Sequence, residues 1–254
     1  MIGQRFSAAA ETYDRHARPQ QTLAQSVVSM LPERRPKRIL ELGPGTGQLT
    51  RLLINRFPEV PIDAVDIAEK MIEHSRARFS RYPQINWIIG DAQNFRGSDP
   101  YPLIVSSSAL HWVSNLRETF ENIFQNLEPG GIFLLGMMLK GTLRELHELR
   151  REIAPEKTPD LTLPSYETIQ TALKDSGFTL KHRKHAEEEI IYKDARTFLR
   201  AIHEQGVTGG RVSTANIPLT RSEISRLTTV YQNRYASDGG VCATYETAIF
   251  LLTK

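Results

Sequence analysis

The segment Ile39-Leu-Glu41-Leu-Gly43-Pro-Gly45-Thr-Gly47-Gln48 places an acid two residues ahead of three glycines spaced by two. Glycine is needed where a backbone turns tightly or must come close to a ligand. A dinucleotide site reads G-x-G-x-x-G; here the third glycine falls one residue early and Gln48 stands in its place. A carboxylate at Glu41 would repel a pyrophosphate and suits a cationic ligand. Asp66 follows the apolar run Ile62-Asp-Ala-Val65, 19 residues after Gly47. An acid at the end of such a strand can accept both hydroxyls of a ribose. Asp91 closes a third run, Asn86-Trp-Ile-Ile-Gly-Asp91-Ala92. It is placed to accept the amino group of an adenine, with Ala92 small enough to admit the ring and Ile67 available to pack on one face. Asp63, inside its strand, reads as a structural acid. The pattern points to a positively charged adenosine compound.

Other chemistries find less support. The seven histidines, His16, His74, His111, His147, His182, His185 and His203, show no metal-ligand spacing, and no Ser/His/Asp constellation stands out. The one cysteine, Cys242, excludes an internal disulfide framework and a multi-cysteine metal site, and a reducing, cytoplasmic setting fits it. With 32 basic against 29 acidic residues, the 254-residue chain carries a net charge of +3, and no like-charge block exceeds four residues. Nucleic acid is therefore not an expected partner. The N-terminus lacks the apolar core of a secretory signal, and the longest apolar run, Ile132 to Leu139, is far short of the roughly 18–20 residues that span a bilayer.

These residues must be positioned by a scaffold, and the pattern supplies one. Strands are expected at 38–42, 62–65, 85–89, 103–106 and 131–139. Helices are expected at 46–57, 69–79 and 115–127. Strands alternating with helices predict a parallel, doubly wound sheet whose ligands collect at the carboxyl ends of the strands. One or two helices are expected in 7–31. The second half adds helices at 141–153, 165–175, 195–205 and 222–235, with strands at 178–192 and 243–252. Ser165 is a candidate helix cap, with Thr168 where a full capping box has an acid.

Glu41, Gly43, Gly45, Gly47, Asp66, Asp91, the segment Leu103-Ile-Val-Ser106-Ser107-Ser108-Ala-Leu-His111-Trp112 and the turn Leu127-Glu-Pro129-Gly130-Gly131 together resemble the motifs of class I S-adenosylmethionine (SAM)-dependent methyltransferases. The resemblance runs in order through 38–139. Phe6-Ser-Ala-Ala-Ala10-Glu-Thr-Tyr13-Asp-Arg-His-Ala17 looks like the N-terminal segment of the malonyl-acyl-carrier-protein O-methyltransferases of biotin synthesis. So do Leu139-Lys-Gly141-Thr-Leu-Arg-Glu145-Leu-His147, Leu163-Pro-Ser-Tyr-Glu167, Phe198-Leu-Arg200-Ala-Ile and Leu219-Thr-Arg221-Ser in their places. The chain departs from that family at Ser107, at His111 and across His203-Glu-Gln-Gly206-Val-Thr208-Gly.

The resemblance implies a single α/β domain over 1–254, Rossmann-like, with a mostly parallel seven-stranded sheet, an antiparallel edge pair and a helical lid from 1–31, 140–164 and 194–238. It implies SAM held by Glu41, Gly43, Gly45, Gly47, Asp66, Ile67, Met71, Asp91, Ala92 and Ser107. It implies methyl transfer to the free carboxylate of a malonyl group on an acyl-carrier protein, with Tyr13, Arg200 and His111 as the candidate catalytic residues and Arg211 as a second candidate clamp. A carboxylate is ionised at neutral pH, so no general base is required. An acidic carrier calls for a basic face, and Lys140, Arg144, Lys181-His-Arg183-Lys184-His, Arg196 and Arg200 are candidates for it. Two readings compete with this one: a methyltransferase acting on a small acid such as trans-aconitate, and a non-catalytic SAM-binding partner protein.

Overall fold

The computed structural model describes residues 2–157, 163–205 and 218–254. Five strands run parallel: β1 (Ile39–Leu42), β2 (Ile62–Asp66), β3 (Ile85–Ile89), β4 (Tyr101–Ser107) and β5 (Leu127–Met138). Two long antiparallel strands, β6 (Thr179–Tyr192) and β8 (Gly240–Thr253), complete the order β3-β2-β1-β4-β5-β8-β6. This is the seven-stranded, mostly parallel sheet with an antiparallel edge pair that the resemblance implies, built on the parallel, doubly wound core that the pattern predicts. A two-residue strand, β7 (Ala236–Ser237), adds an eighth member on β8. Two residues are too few to carry an alternating pattern.

The central strands are apolar on both faces because helices cover both. Ile39, Leu103, Leu134 and Met138 face one side, with Leu23 and Val27 of α2 (Arg18–Val28) and Leu49 and Leu53 of α3 (Gln48–Arg56). Leu40, Leu42, Phe133 and Leu135 face the other, against Phe120 and Ile123 of α5 (Leu116–Asn126) and Ile169 and Leu173 of α7 (Tyr166–Asp175). Gly136 lets α2 lie close on β5, since a Cβ there would run into Val27 and Leu23.

The remaining helices are α1 (Ile2–Ala9), α4 (Glu69–Arg78), α6 (Arg144–Ile153), α8 (Ala195–Glu204) and α9 (Arg221–Arg234). The last three pack on the α2 side of the core through Leu146, Leu149, Phe198, Ile202, Leu227 and Tyr231. Their ends follow local chemistry. Ser165 caps α7 by accepting from the Thr168 amide at 3.2 Å, Asp194 caps α8, and Thr220 with Glu223 forms a full capping box on α9. The helix expected from Gly141 begins at Arg144, because Leu143 adopts a left-handed backbone (φ 58°) that cannot lie inside a helix.

Candidate active site

The chain runs β1, β2, β3 toward one edge and returns at β4 on the other side of β1, so the sheet has its switch point between β1 and β4. A crevice opens there beyond the carboxyl ends of the strands. The glycine turn enters it directly from β1. Gly43 donates to the Val65 carbonyl at 2.8 Å, and Gly47 to the Pro44 carbonyl at 2.9 Å. Each glycine meets a different demand. A Cβ on Gly43 would strike Ala109, and one on Gly47 would strike the Phe79 ring. A Cβ on Gly45 would meet nothing, because Gly45 faces the open cleft at φ +54°.

Asp66, at the end of β2, ties this turn down. Its carboxylate accepts from the Gly45 amide at 2.9 Å and from the Ala68 amide at 2.8 Å. Burial pushes its pKa above the usual carboxylate range, against the pull of those amides. Glu41 lies fully buried in β1, where one oxygen accepts from the Thr50 hydroxyl at 2.7 Å and Oε1 has no partner. Burial raises its pKa from 4.5 to about 8; the Thr50 hydrogen bond opposes the rise and the Asp66 charge adds to it.

The cleft encloses about 1000 Å³ including its mouth. Of the predicted cofactor residues, Gly43, Gly45, Asp66, Ile67, Met71, Asp91, Ala92 and Ser107 line it. Glu41 and Gly47 do not: the first sits within the sheet and the second begins α3 with its back to Phe79. Ile67 leaves 48% of its surface exposed, an apolar platform inside the cleft. Asp91 is fixed by Gln93, which donates its amide at 2.9 Å and its side-chain nitrogen at 3.1 Å. The Ser107 and Ser108 hydroxyl oxygens are buried without partners. These features fit a polar, cationic nucleoside. Asp63 is structural, accepting from Arg38, Asn86 and Tyr101 at 2.9, 2.9 and 2.8 Å.

The N-terminal segment roofs the cleft. Asp14 accepts from the Thr46 hydroxyl at 2.6 Å, the Gln48 amide at 2.8 Å and Arg78 at 2.6 Å, which pins the segment to the glycine turn. Burial opposes ionisation of Asp14, but these donors outweigh it and hold its pKa below the ordinary value. Tyr13 is thereby set over the cleft beside Phe6, which packs edge-on against Trp112 with ring centroids 5.5 Å apart. Burial, with the charges of Asp14 and Asp66, raises the Tyr13 pKa strongly, so the phenol stays protonated.

A second chamber of about 410 Å³ adjoins the first. Phe6, Tyr13, Gln20, Ser108 and Trp112 line both and form the junction. His111, Thr142, Gln205 and Tyr245 add polar groups to the second chamber and Met138, Leu143, Leu163 and Ile202 apolar ones. His111 is buried, with its ring centroid 5.2 Å from that of Trp112.

Arg200 does not reach either chamber. It lies exposed on α8, whose buried residues Phe198, Ala201 and Ile202 leave position 200 facing outward, so the structure does not bring the expected carboxylate clamp to the described chambers. Arg211 and the stretch from Gly206 to Gly209 fall outside the described residues. Within the expected basic face, Arg144 pairs with Glu187 at 2.9 Å and His185 with Glu246 at 2.7 Å, whereas Arg196 and Arg200 share an exposed face of α8. Gln20, Phe6, Gln93 and Tyr245 were missed as site residues. Only Phe6 carried a signal, through its place in the N-terminal motif.

Residues 39–131 match the family described as "Methyltransferase domain". The chain is 28% identical to malonyl-[acyl-carrier protein] O-methyltransferase 2 of Ilyobacter polytropus, covering 100% of this chain and 97% of that protein. It is 29% identical to the malonyl-[acyl-carrier protein] O-methyltransferase of Bacillus cereus, with the same coverage. Among solved structures, the YcgJ protein of Bacillus subtilis superposes with a TM-score of 0.66 at 14% identity, covering 92% of this chain and 98% of that one. The N-methyltransferase NodS of Bradyrhizobium japonicum, in complex with S-adenosyl-L-homocysteine, does so with a TM-score of 0.54 at 14% identity, covering 97% and 98%. The chain thus carries a methyltransferase domain on the Rossmann-like class I fold.

Proposed function

We propose that this chain, a SAM-dependent carboxyl methyltransferase by its domain and its full-length relatives, methylates the free carboxylate of malonyl-acyl-carrier protein, giving the ester that primes pimeloyl formation in biotin synthesis. One observation carries the reading. A cleft suited to a cationic nucleoside opens through a junction of uncharged donors into a second chamber that no described Lys or Arg side chain lines. Bound SAM supplies an electrophilic methyl group on a sulfonium. The chain's own residues do the rest. Asp66 is placed for the ribose hydroxyls, Asp91 for the adenine edge, and Ile67 and Met71 for the ring. Glu41, buried with one oxygen unpartnered, would offset the positive charge of a bound cofactor in its ionised form.

The described parts of segments 1–31, 140–164 and 194–238 are read as a lid that excludes water and sets the acceptor in line with the methyl group; residues 158–162 and 206–217 of that expected lid lie outside the described residues. Tyr13, always protonated, is a donor at the junction rather than a base. His111 contributes a wall of the acceptor chamber. Arg200 moves from the catalytic set to the outer face, where with Arg196 it would meet an acidic carrier protein.

The test is a mass-spectrometric methylation assay. Purified protein and SAM are offered malonyl-acyl-carrier protein, malonyl-coenzyme A and trans-aconitate in parallel. Fastest ester formation on the carrier-bound malonyl group is expected. Methylation of trans-aconitate alone would overturn the acceptor and keep the cofactor. No product, with SAM still bound by calorimetry, would overturn the catalytic reading.

A further inference from the structure

The junction between the chambers holds two buried polar atoms with no partner, Gln20 Oε1 and Ser108 Oγ. Both residues line both chambers, with Tyr13 between them in function as a third neutral donor. Gln20 is only 9% exposed. A buried amide oxygen without a hydrogen bond costs free energy that a satisfied or apolar group would not. Ser108 is also one of three described non-glycine residues with a left-handed backbone, at φ 57°, held by its amide's bond to the Gly136 carbonyl at 3.0 Å. Strain and unmet polar groups in one place mark a position set for a ligand rather than for folding. The helix that carries Gln20 adds a further bias. Gln20 stands in the first turn of α2, which has no side-chain cap and no acid, so negative charge is favoured there.

We infer that Gln20 and Ser108 hold the acceptor carboxylate by neutral hydrogen-bond donation and aim one of its oxygens at the methyl group; the inference rests on the proposed function. A half-turn of the Gln20 carboxamide puts either its oxygen or its two N–H donors at the junction, and the hydroxyl of Ser108 rotates freely. In the reaction a carboxylate oxygen forms the O–CH3 bond while the S–CH3 bond breaks and its electron pair stays on sulfur. No proton moves. An anion and a sulfonium become a neutral ester and a neutral thioether, so charge disappears on the way to the transition state. A guanidinium clamp would stabilise the starting carboxylate more than the transition state and slow the step. Neutral donors orient the nucleophile without that penalty. This accounts for a chamber proposed to bind an acid whose described walls carry no Lys or Arg.

The full-length protein is assayed with SAM and malonyl-acyl-carrier protein. Gln20→Met keeps the side chain's length and removes the donor. Ser108→Gly removes the hydroxyl and relieves the backbone, so its melting temperature should hold or rise. Each is expected to lower kcat/KM for the acceptor by about 10- to 100-fold, the cost of one hydrogen bond to a charged group, with the SAM dissociation constant within about threefold of the parent. Gln20→Glu adds a readout that a structural role would not move: its activity should climb as pH falls, since only the protonated carboxyl donates, and burial beside the acceptor's own charge opposes the helix end in favouring that form. Acceptor kinetics within about twofold of the parent for both neutral variants would overturn the inference. So would weaker SAM binding with unchanged acceptor kinetics, which would make the pair cofactor ligands. A parent enzyme inactive on malonyl-acyl-carrier protein overturns the acceptor reading itself, a result separate from either of these.

Discussion

The cleft proposed for the cofactor and the chamber proposed for the acceptor share a junction, yet they are assembled on different plans. The cleft is built where strands end: the turn after β1, the acid closing β2, the Asp91 loop after β3 and Ser107 closing β4 with Ser108 beyond it. Each contributes a short run whose backbone is tied to its neighbour, as Asp66 ties Gly45. The acceptor chamber collects single side chains from distant segments, among them Gln20 on α2, Leu163 before α7, Ile202 on α8 and Tyr245 on β8. Its walls are fixed indirectly. Glu145 on α6 binds the Thr244 amide at 3.1 Å and also its hydroxyl, and Tyr245 meets the Tyr192 hydroxyl at 2.9 Å. The difference teaches where each property can change. A ligand held by backbone turns is hard to alter without breaking the sheet, whereas a chamber lined by separate side chains can change acceptor one residue at a time.

The sharpest test of that division is Asp66→Ala. It removes the partner of two backbone amides together with the proposed acceptor for a ribose. SAM affinity should fall at least about 100-fold by calorimetry, since several hydrogen bonds to a charged group are lost. Far-ultraviolet circular dichroism should keep the α/β signature. Retained SAM binding would break the assignment of the cleft.

Tyr13→Phe probes the junction. The phenol's raised pKa keeps it protonated through the working range, as the proposed donor role requires. The variant should lose about tenfold in kcat, one hydrogen bond's worth, and both proteins should show flat kcat profiles from about pH 6 to about pH 9. A base-type rise with pH in the parent, absent in the variant, would contradict the donor role.

Outside both chambers the expected effects shrink. Arg196→Glu with Arg200→Glu changes only exposed charge on α8. The KM for carrier-bound malonyl should rise about fivefold at low salt, with little change for malonyl-coenzyme A, because surface complementarity is screened and acts mainly on encounter. Equal effects on both acceptors would place these arginines elsewhere in the reaction.

The same contrast explains what could be read from the residues alone. The turn after β1 demands glycine for two steric reasons, at Ala109 and at Phe79, and for a left-handed backbone at the open cleft, and the strand ends demand acids. Such local demands appear as spacing. Gln20 sits in Pro19-Gln20-Gln21, a stretch that looks like a solvated helix start, and nothing nearby says that tertiary packing will bury it to 9%. Arg200 attracted the role of clamp because guanidinium suits carboxylate; which face of α8 it occupies depends on Phe198 and Ile202 packing inward. Tyr245 lies in an apolar strand where one more aromatic is unremarked. The two-residue β7 exists only because β8 is there to pair with it.

Glu41 belongs to the cleft without lining it, and its behaviour with pH shows how the two plans couple. Its folded pKa of about 8 exceeds the ordinary 4.5, so the folded protein prefers the protonated acid. The stability this contributes is complete below about pH 4.5 and is lost as pH rises through about 8, because the unfolded chain ionises first. Glu41→Gln keeps an oxygen for the Thr50 hydroxyl and removes the titration. Thermal unfolding across that window should show the parent losing stability relative to the variant, by on the order of 1 kcal/mol once relaxation around the buried charge is allowed for. SAM should erase most of the difference, since a cation over the turn favours the ionised acid that the empty cleft disfavours. Parallel pH profiles for the two proteins without ligand would show that Glu41 is ionised throughout, and that the charge under the turn is met by a partner other than the cofactor.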